Sequence, residues 1–134
     1  MIIDFTIENF LSFKEQQTLS FVAEPPYDIH PDHLLDTPEK GLKLLKTIVI
    51  YGANASGKSN FLSAIHFLKQ LIINSTEKKL DEPFELIPFL LDKKQKNAPT
   101  SFEVNFFCAD IRYNYYLVLD KKKVFHEHLS YYPK

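Results

Sequence analysis

The chain has 134 residues with 16 Lys+Arg against 17 Asp+Glu, a formal net charge of −1, and is 45% hydrophobic and 25% charged. That near-neutral balance excludes a global positive field drawing the chain to nucleic acid or anionic lipid, and the composition excludes disorder while supplying a core for one domain or part of a larger one. The single cysteine, Cys108, excludes an intramolecular disulfide, and the absence of any apolar run long enough to cross a bilayer makes no membrane and a cytoplasmic location the expectation.

The first element is a strand. Ile3, Phe5 and Ile7 alternate with Asp4, Thr6 and Glu8, the period of a half-buried strand, where a signal peptide would carry a basic start and an apolar core. A second strand over Gln17–Val22 pairs with it as a hairpin, so residues 1–22 form one unit joined through Asn9–Glu15. Over residues 23–43, Pro25, Pro26, Pro31 and Pro38 break regular structure and predict a surface insertion. Its His30 and His33, together with His126 and His128, are read as solvated residues rather than metal ligands, since no cysteine supports a site.

Residues 44–74 read as strand, loop and helix. Leu42, Leu44 and Leu45 lead into Thr47-Ile48-Val49-Ile50-Tyr51, a β-branched, uncharged run that predicts a strand buried on both faces. Gly52-Ala53-Asn54-Ala55-Ser56-Gly57-Lys58-Ser59 then satisfies G-x-x-x-x-G-K-[ST] at every fixed position. Glycines at both ends permit tight turns and close approach of the backbone to phosphate oxygens, while the following helix adds unpaired N–H groups and the positive end of its dipole. Lys58 would bridge the β- and γ-phosphates of ATP, and Ser59 would offer its hydroxyl to Mg²⁺. Downstream, Phe61, Ile65, Leu68 and Ile72, widened by Ala64 and Leu71, form an apolar helical stripe, with Ser63, His66, Lys69 and Gln70 on the other face.

Asn74–Asp81 reads as the polar end of that helix, Pro83–Pro88 as an irregular crossing, and Asp92–Asn97 as a charged, solvated turn. The last third alternates throughout. Breaks at Ala109-Asp110 and Asp120–Lys123 divide residues 101–132 into a three-stranded antiparallel meander. A phosphate-loop ATPase also needs an apolar strand ending in Asp, then Glu in ABC-type enzymes; the one candidate, Tyr116-Leu117-Val118-Leu119-Asp120, has Lys121 in the Glu position, and Asp120 reads as a turn residue.

Two stretches carry a family resemblance: Ile2-Ile3-Asp4-Phe5-Thr6-Ile7-Glu8-Asn9-Phe10-Leu11-Ser12-Phe13, and Tyr51 through Leu62 with its Asn54-Ala55-Ser56-Gly57-Lys58-Ser59-Asn60 core. Together with Phe102–Phe106 and Glu127-His128-Leu129, the chain resembles bacterial ABC-type, AAA-family ATPases of the SMC, RecF and OLD branch, many of them associated with anti-phage defence. The resemblance implies an α/β fold: the N-terminal lobe of a P-loop NTPase (ABC-type head), with an antiparallel β-subdomain beside an incomplete core sheet. It implies ATP and Mg²⁺ as cofactors, held by Gly52, Asn54, Ala55, Ser56, Gly57, Lys58, Ser59 and Asn60. It also implies partners: a C-terminal ATPase lobe bearing the signature motif and the Asp-Glu pair, a second head closing face to face on ATP, and an effector protein or nucleic acid reached through other domains. A basic residue is common in the family at the position of Leu11, with Lys14 the substitute here. Without a second acidic element, this segment alone is expected not to hydrolyse ATP; the competing class is a self-sufficient, non-hydrolysing nucleotide-binding regulatory module.

Overall fold

A computed structural model describes residues 1–27, 30–75 and 82–133. In chain order the elements are β1 (Ile2–Glu8), β2 (Gln17–Ser20), β3 (Leu34–Asp36), β4 (Lys43–Leu45), α1 (Lys58–Asn74), β5 (Thr100–Cys108), β6 (Ile111–Leu119) and β7 (Val124–Tyr132), with 3-10 turns at Pro31–His33 and Gln95–Asn97. The fold is mixed α/β. Its main sheet runs β2-β1-β5-β6-β7, every pairing antiparallel, with α1 across one face.

The alternation seen in the sequence explains which face α1 covers. Phe5 opposes Val104, which opposes Tyr115; Ile7 opposes Phe102, which opposes Leu117; Thr100 opposes Leu119. Residues directly opposite in a ladder share a face, so these rows form one apolar surface. On it α1 lays Phe61, Ala64 and Leu68, all buried. Ala64 is fully buried, and its small side chain lets the helix axis approach the sheet. Phe61 meets Phe5 edge-on at 5.6 Å, and Phe67 stacks on Phe102 at 5.6 Å. Burying such a phenylalanine contributes about 1.5–3 kcal/mol, so this aromatic layer fixes the helix on the sheet.

The stripe expected on α1 is shifted at its end. Phe67, which the helical period left out, packs between Phe10 and Phe102, whereas Ile72 is half exposed. The C-terminal half of α1 runs past its cover and leaves an open cleft of about 930 Å³ against β5–β7, lined by Leu71, Ile72, Val104, Tyr115, Leu117 and Leu129. Of the expected polar helix end at 74–81, residues 76–81 lie outside the described residues.

Three further departures have physical causes. A register shift between Ile2 and Asp4 takes Ile3 out of the Phe5–Ile7 row, and Ile3 clusters instead with Leu44 and Phe107. The proline-rich stretch is not free of regular structure: β3 and β4 pair through Leu34–Leu45 and Leu35–Leu44, because Leu35, Leu42 and Leu44 supply apolar cover for Ile3 and Phe107. Hydrogen bonds from Ala23 N–H to Lys43 O (2.9 Å) and from Leu45 N–H to Phe21 O (2.7 Å) dock this hairpin onto the chain beyond β2.

Residues 47–51, expected as a strand buried on both faces, form no strand. Val49 is 77% and Tyr51 89% exposed. A run of this composition needs parallel neighbours on both sides, and among the described residues no strand pairing is parallel. The incomplete core sheet expected from the sequence is therefore reduced to an unpaired segment leading into the loop.

The meander is made as its turns dictate. Ala109 and Asp110 sit at φ 47° and 63°, the left-handed pair of a two-residue hairpin between Cys108 and Ile111. At the second turn Asp120 Oδ1 accepts from the N–H groups of Lys122 (2.7 Å) and Lys123 (2.9 Å). No helix among the described residues is long and apolar enough to cross a membrane.

Candidate functional site

The loop 52–57 is held between the unpaired 47–51 segment and the first turn of α1. Its curvature comes from two left-handed residues, Ala55 (φ 62°) and Gly57 (φ 94°). Backbone that alternates hand in this way turns successive N–H groups inward to make an anion-binding concavity. Gly57 is the residue before the helix and offers no side-chain cap. The first helical hydrogen bond runs from Phe61 N–H to Gly57 O (3.2 Å), and among the described residues no acceptor reaches the N–H groups of Gly57, Lys58, Ser59 or Asn60. Four bare donors thus converge at the positive end of a 17-residue helix.

Lys58 lies over this concavity. Its Nζ donates to Gly52 O (2.9 Å), Ala53 O (2.6 Å) and Ser56 Oγ (3.4 Å). None of these partners is a carboxylate, so among the described residues no ion pair neutralises the ammonium charge. Ser59 lies on the first helical turn with its side chain exposed, and its carbonyl accepts from Ser63 Oγ at 3.0 Å. Asn54, Ala55 and Ser56 form the exposed tip.

What the sequence did not disclose is how tightly the turn between β1 and β2 is applied to this loop. Asn60 Nδ2 donates to Ser12 Oγ at 2.9 Å, and Phe13 meets Phe61 edge-on at 5.6 Å. At Gly57 a Cβ would fall 2.7 Å from Ser12 Oγ, so a side chain here needs the Ser12 hydroxyl to turn aside, and the φ of 94° favours glycine in any case. The turn itself is closed by reciprocal Phe10–Phe13 backbone bonds of 2.9 and 2.8 Å, and Leu11, at φ 50°, donates its N–H to Ile87 O.

Asn9 anchors that turn. It is 1% exposed; its Nδ2 donates to Gln95 O (2.8 Å), Ala98 O (2.9 Å) and Pro99 O (3.1 Å), its Oδ1 accepts from Phe89 N–H (3.1 Å), and its own carbonyl accepts from Thr100 Oγ1 (2.6 Å). An asparagine closing a strand just before two phenylalanines is the available signal, because Asn tolerates the left-handed φ of 53° found here.

Two other candidates are placed elsewhere. Lys14 is engaged with Asp92 at 2.9 Å; the hydrogen bond with Asp92 raises the lysine pKa and lowers that of the carboxyl, which also accepts from Lys94 N–H. Asp120 stays in its hairpin turn, its carboxyl pKa held below the usual range by the two backbone donors. His30 stacks on His33 and His126 on His128, and among the described residues no group of three His, Cys, Asp or Glu side chains is gathered to hold a metal ion.

A helix with a bare N-terminus behind a Gly-bounded, lysine-bearing loop, set against a sheet, belongs to the P-loop ATPase-like class. The family comparison agrees: the profile described as "AAA domain, putative AbiEii toxin, Type IV TA system" matches residues 48–134, and the chain belongs to this family. The match takes in the loop, α1 and the meander, while Asn9 and Ser12 precede it. No curated protein and no solved structure matches the chain significantly.

Proposed function

We propose that the chain binds ATP with Mg²⁺ on the loop Gly52–Ser59, as the N-terminal lobe of an ABC-type head related to SMC, RecF and OLD proteins. The observation that carries this reading is the set of N–H groups at Gly57, Lys58, Ser59 and Asn60 that have no partner among the described residues, beside a lysine whose partners there are uncharged oxygens. A polyphosphate satisfies both at once. It would accept from the backbone donors and exchange Lys58 from uncharged loop carbonyls to anionic phosphate oxygens, which adds the attraction of opposite charges. Asn54, Ala55 and Ser56, at the exposed tip, would add contacts to the polyphosphate, and Ser59 would offer its hydroxyl to Mg²⁺. The ion, when bound, neutralises charge on the β- and γ-phosphates.

Hydrolysis belongs to the completed protein. Asp120 is committed to its turn, and exposed Val49, Ile50 and Tyr51 support a C-terminal lobe whose strands flank residues 47–51. Two such heads would then close on ATP. The family description names a toxin–antitoxin system, and defence of that kind, including defence against phage, is the setting we assign to the full ATPase, with its effector or nucleic-acid target reached through other domains.

Calorimetry of Mg-ATP binding tests the site. Lys58→Ala is expected to weaken binding at least tenfold while leaving the thermal unfolding curve in place, since Lys58 bonds only within an exposed loop. Equal affinity in wild type and variant overturns the assignment.

A further inference from the structure

The hydroxyl of Ser12 touches the run of backbone donors at both of its ends. It accepts from Asn60 Nδ2 at 2.9 Å, and it stands 2.7 Å from the position that a Cβ on Gly57 would take. Residues 57–60 are the ones whose N–H groups find no acceptor among the described residues. Ser12 precedes both the loop and the family match, and it sits on a fixed turn. Reciprocal Phe10–Phe13 bonds close that turn, Leu11 N–H donates to Ile87 O at 2.9 Å, and Asn9 ties its start to Ala98 O and Pro99 O.

The donors need such a hold. An uncapped helix N-terminus frays, because its first N–H groups have no partners to keep them in place, and Gly57 supplies no side-chain cap. Two side chains of the first turn reach other elements. Phe61 packs edge-on against Phe5 and Phe13, each at 5.6 Å. Asn60, its neighbour in sequence, leaves the helix about 100° further round the axis. One anchor lets the turn rock about it; two at different angles fix its orientation. Among the described residues, Asn60–Ser12 is the one side-chain hydrogen bond between the first turn of α1 and any part of the chain beyond the loop.

We infer that Ser12 and Asn60 are positioning residues for phosphate binding, which hold the N–H groups of residues 57–60 in one converging arrangement before the anion arrives. The inference rests on the phosphate-loop reading and adds that the Asn60 side chain acts through Ser12, not through a bond to the nucleotide. Donors set in advance bind more tightly than donors the ligand must order, because the entropy of ordering is then not lost on binding. The effect concerns the phosphate chain alone, so base and sugar do not enter it.

A double-mutant cycle on affinity tests this, with Mg-ATP and magnesium tripolyphosphate as probes, in calorimetry well below the unfolding midpoint of each variant. Ser12 is exposed and Asn60 only half-buried, so neither substitution opens the core. Ser12→Ala and Asn60→Ala are each expected to weaken both probes about threefold to tenfold, the weight of one ordinary hydrogen bond. The double variant should bind no more weakly than the poorer single, since both substitutions remove the same bond. In free Asn60→Ala the amide resonances of Lys58 and Ser59 should be broadened by exchange between arrangements, and sharpen in the tripolyphosphate complex. A purely stabilising bond would change the unfolding midpoint and neither of these. Wild-type affinity in either single variant, losses that multiply in the double variant, a loss confined to ATP, or unaltered Lys58 and Ser59 resonances overturns the inference and, while Lys58→Ala still weakens binding, leaves the nucleotide reading in place. Equal affinity in wild type and Lys58→Ala removes that reading and this inference with it.

Discussion

Ser12 Oγ accepts a hydrogen bond from Asn60 Nδ2 at 2.9 Å, and the same oxygen lies 2.7 Å from where a Cβ on Gly57 would stand. One hydroxyl from the turn after β1 therefore sets both the start of α1 and the clearance of the loop in front of it.

Gly57→Ala should consequently be destabilising on two counts. The left-handed φ of 94° costs a residue with a Cβ about 1–2 kcal/mol, and the new methyl collides with Ser12 Oγ at 2.7 Å. Ser12→Ala removes the contact at the cost of the Asn60 hydrogen bond, so a double-mutant cycle isolates it: Gly57→Ala is expected to lower the urea midpoint less in a Ser12→Ala background than in wild type. An equal loss in both backgrounds would show that the contact is slack.

Asn9→Ala should be among the most damaging single changes away from the aromatic layer. It leaves the carbonyls of Gln95, Ala98 and Pro99 and the N–H of Phe89 without their side-chain partner, and puts a methyl at φ 53°. The expected loss is about 2–4 kcal/mol, read as a drop in the urea midpoint at unchanged slope. Stability within about 0.5 kcal/mol of wild type would show that water replaces the side chain at no cost.

The segment as it stands should turn over ATP no faster than its Lys58→Ala variant. The attacking water needs an orienting side chain, and Asp120 is held by two backbone donors in a turn. Asp120→Asn should accordingly change hairpin stability and not phosphate release. Lys58-dependent release of phosphate, abolished by Asp120→Asn, would reverse this assignment.

The Lys14–Asp92 pair gives a pH signature of definite sign. The Asp92 pKa is lowered, so its contribution is present above the ordinary carboxyl value of 3.8 and is lost as pH falls through the lower folded value. The raised Lys14 pKa means the pair is intact below 10.5 and fails only above it. Both groups are solvated, and the effect is small and screened by salt. Lys14→Met should show a slightly lower urea midpoint than wild type at about pH 7 and none at about pH 2. A difference that persists in acid would assign the effect to the lysine stem.

The sequence made legible what depends on period and turn chemistry. Alternation disclosed β1, β2 and β5 to β7, though not β3 and β4; Ala109-Asp110 disclosed the hairpin, and the helical period put Phe61, Ala64 and Leu68 on the buried face. Residues 47–51 show where such reading ends: a composition suited to burial on both faces does not supply the neighbours, and the run remains exposed. Ile3 shows a second kind of limit, since a one-residue register shift moves a side chain between clusters without changing the alternation. Asn9 and Ser12 show a third, because their partners lie 80 or more and 48 positions away, and no local pattern encodes them.

The placement of β1 between β2 and β5 has a consequence for how the chain is made. Ile2 pairs with Phe106 and Glu8 with Ser101, so β1 waits for one of its two neighbours until the roughly 90–100 residues between them are translated. At about 5–20 residues per second that interval is roughly 5–20 s, during which the β1–β2 hairpin carries Phe5 and Ile7 without β5 or α1 to cover them. Over that interval the β1–β2 hairpin is thus a segment that a chaperone would shelter.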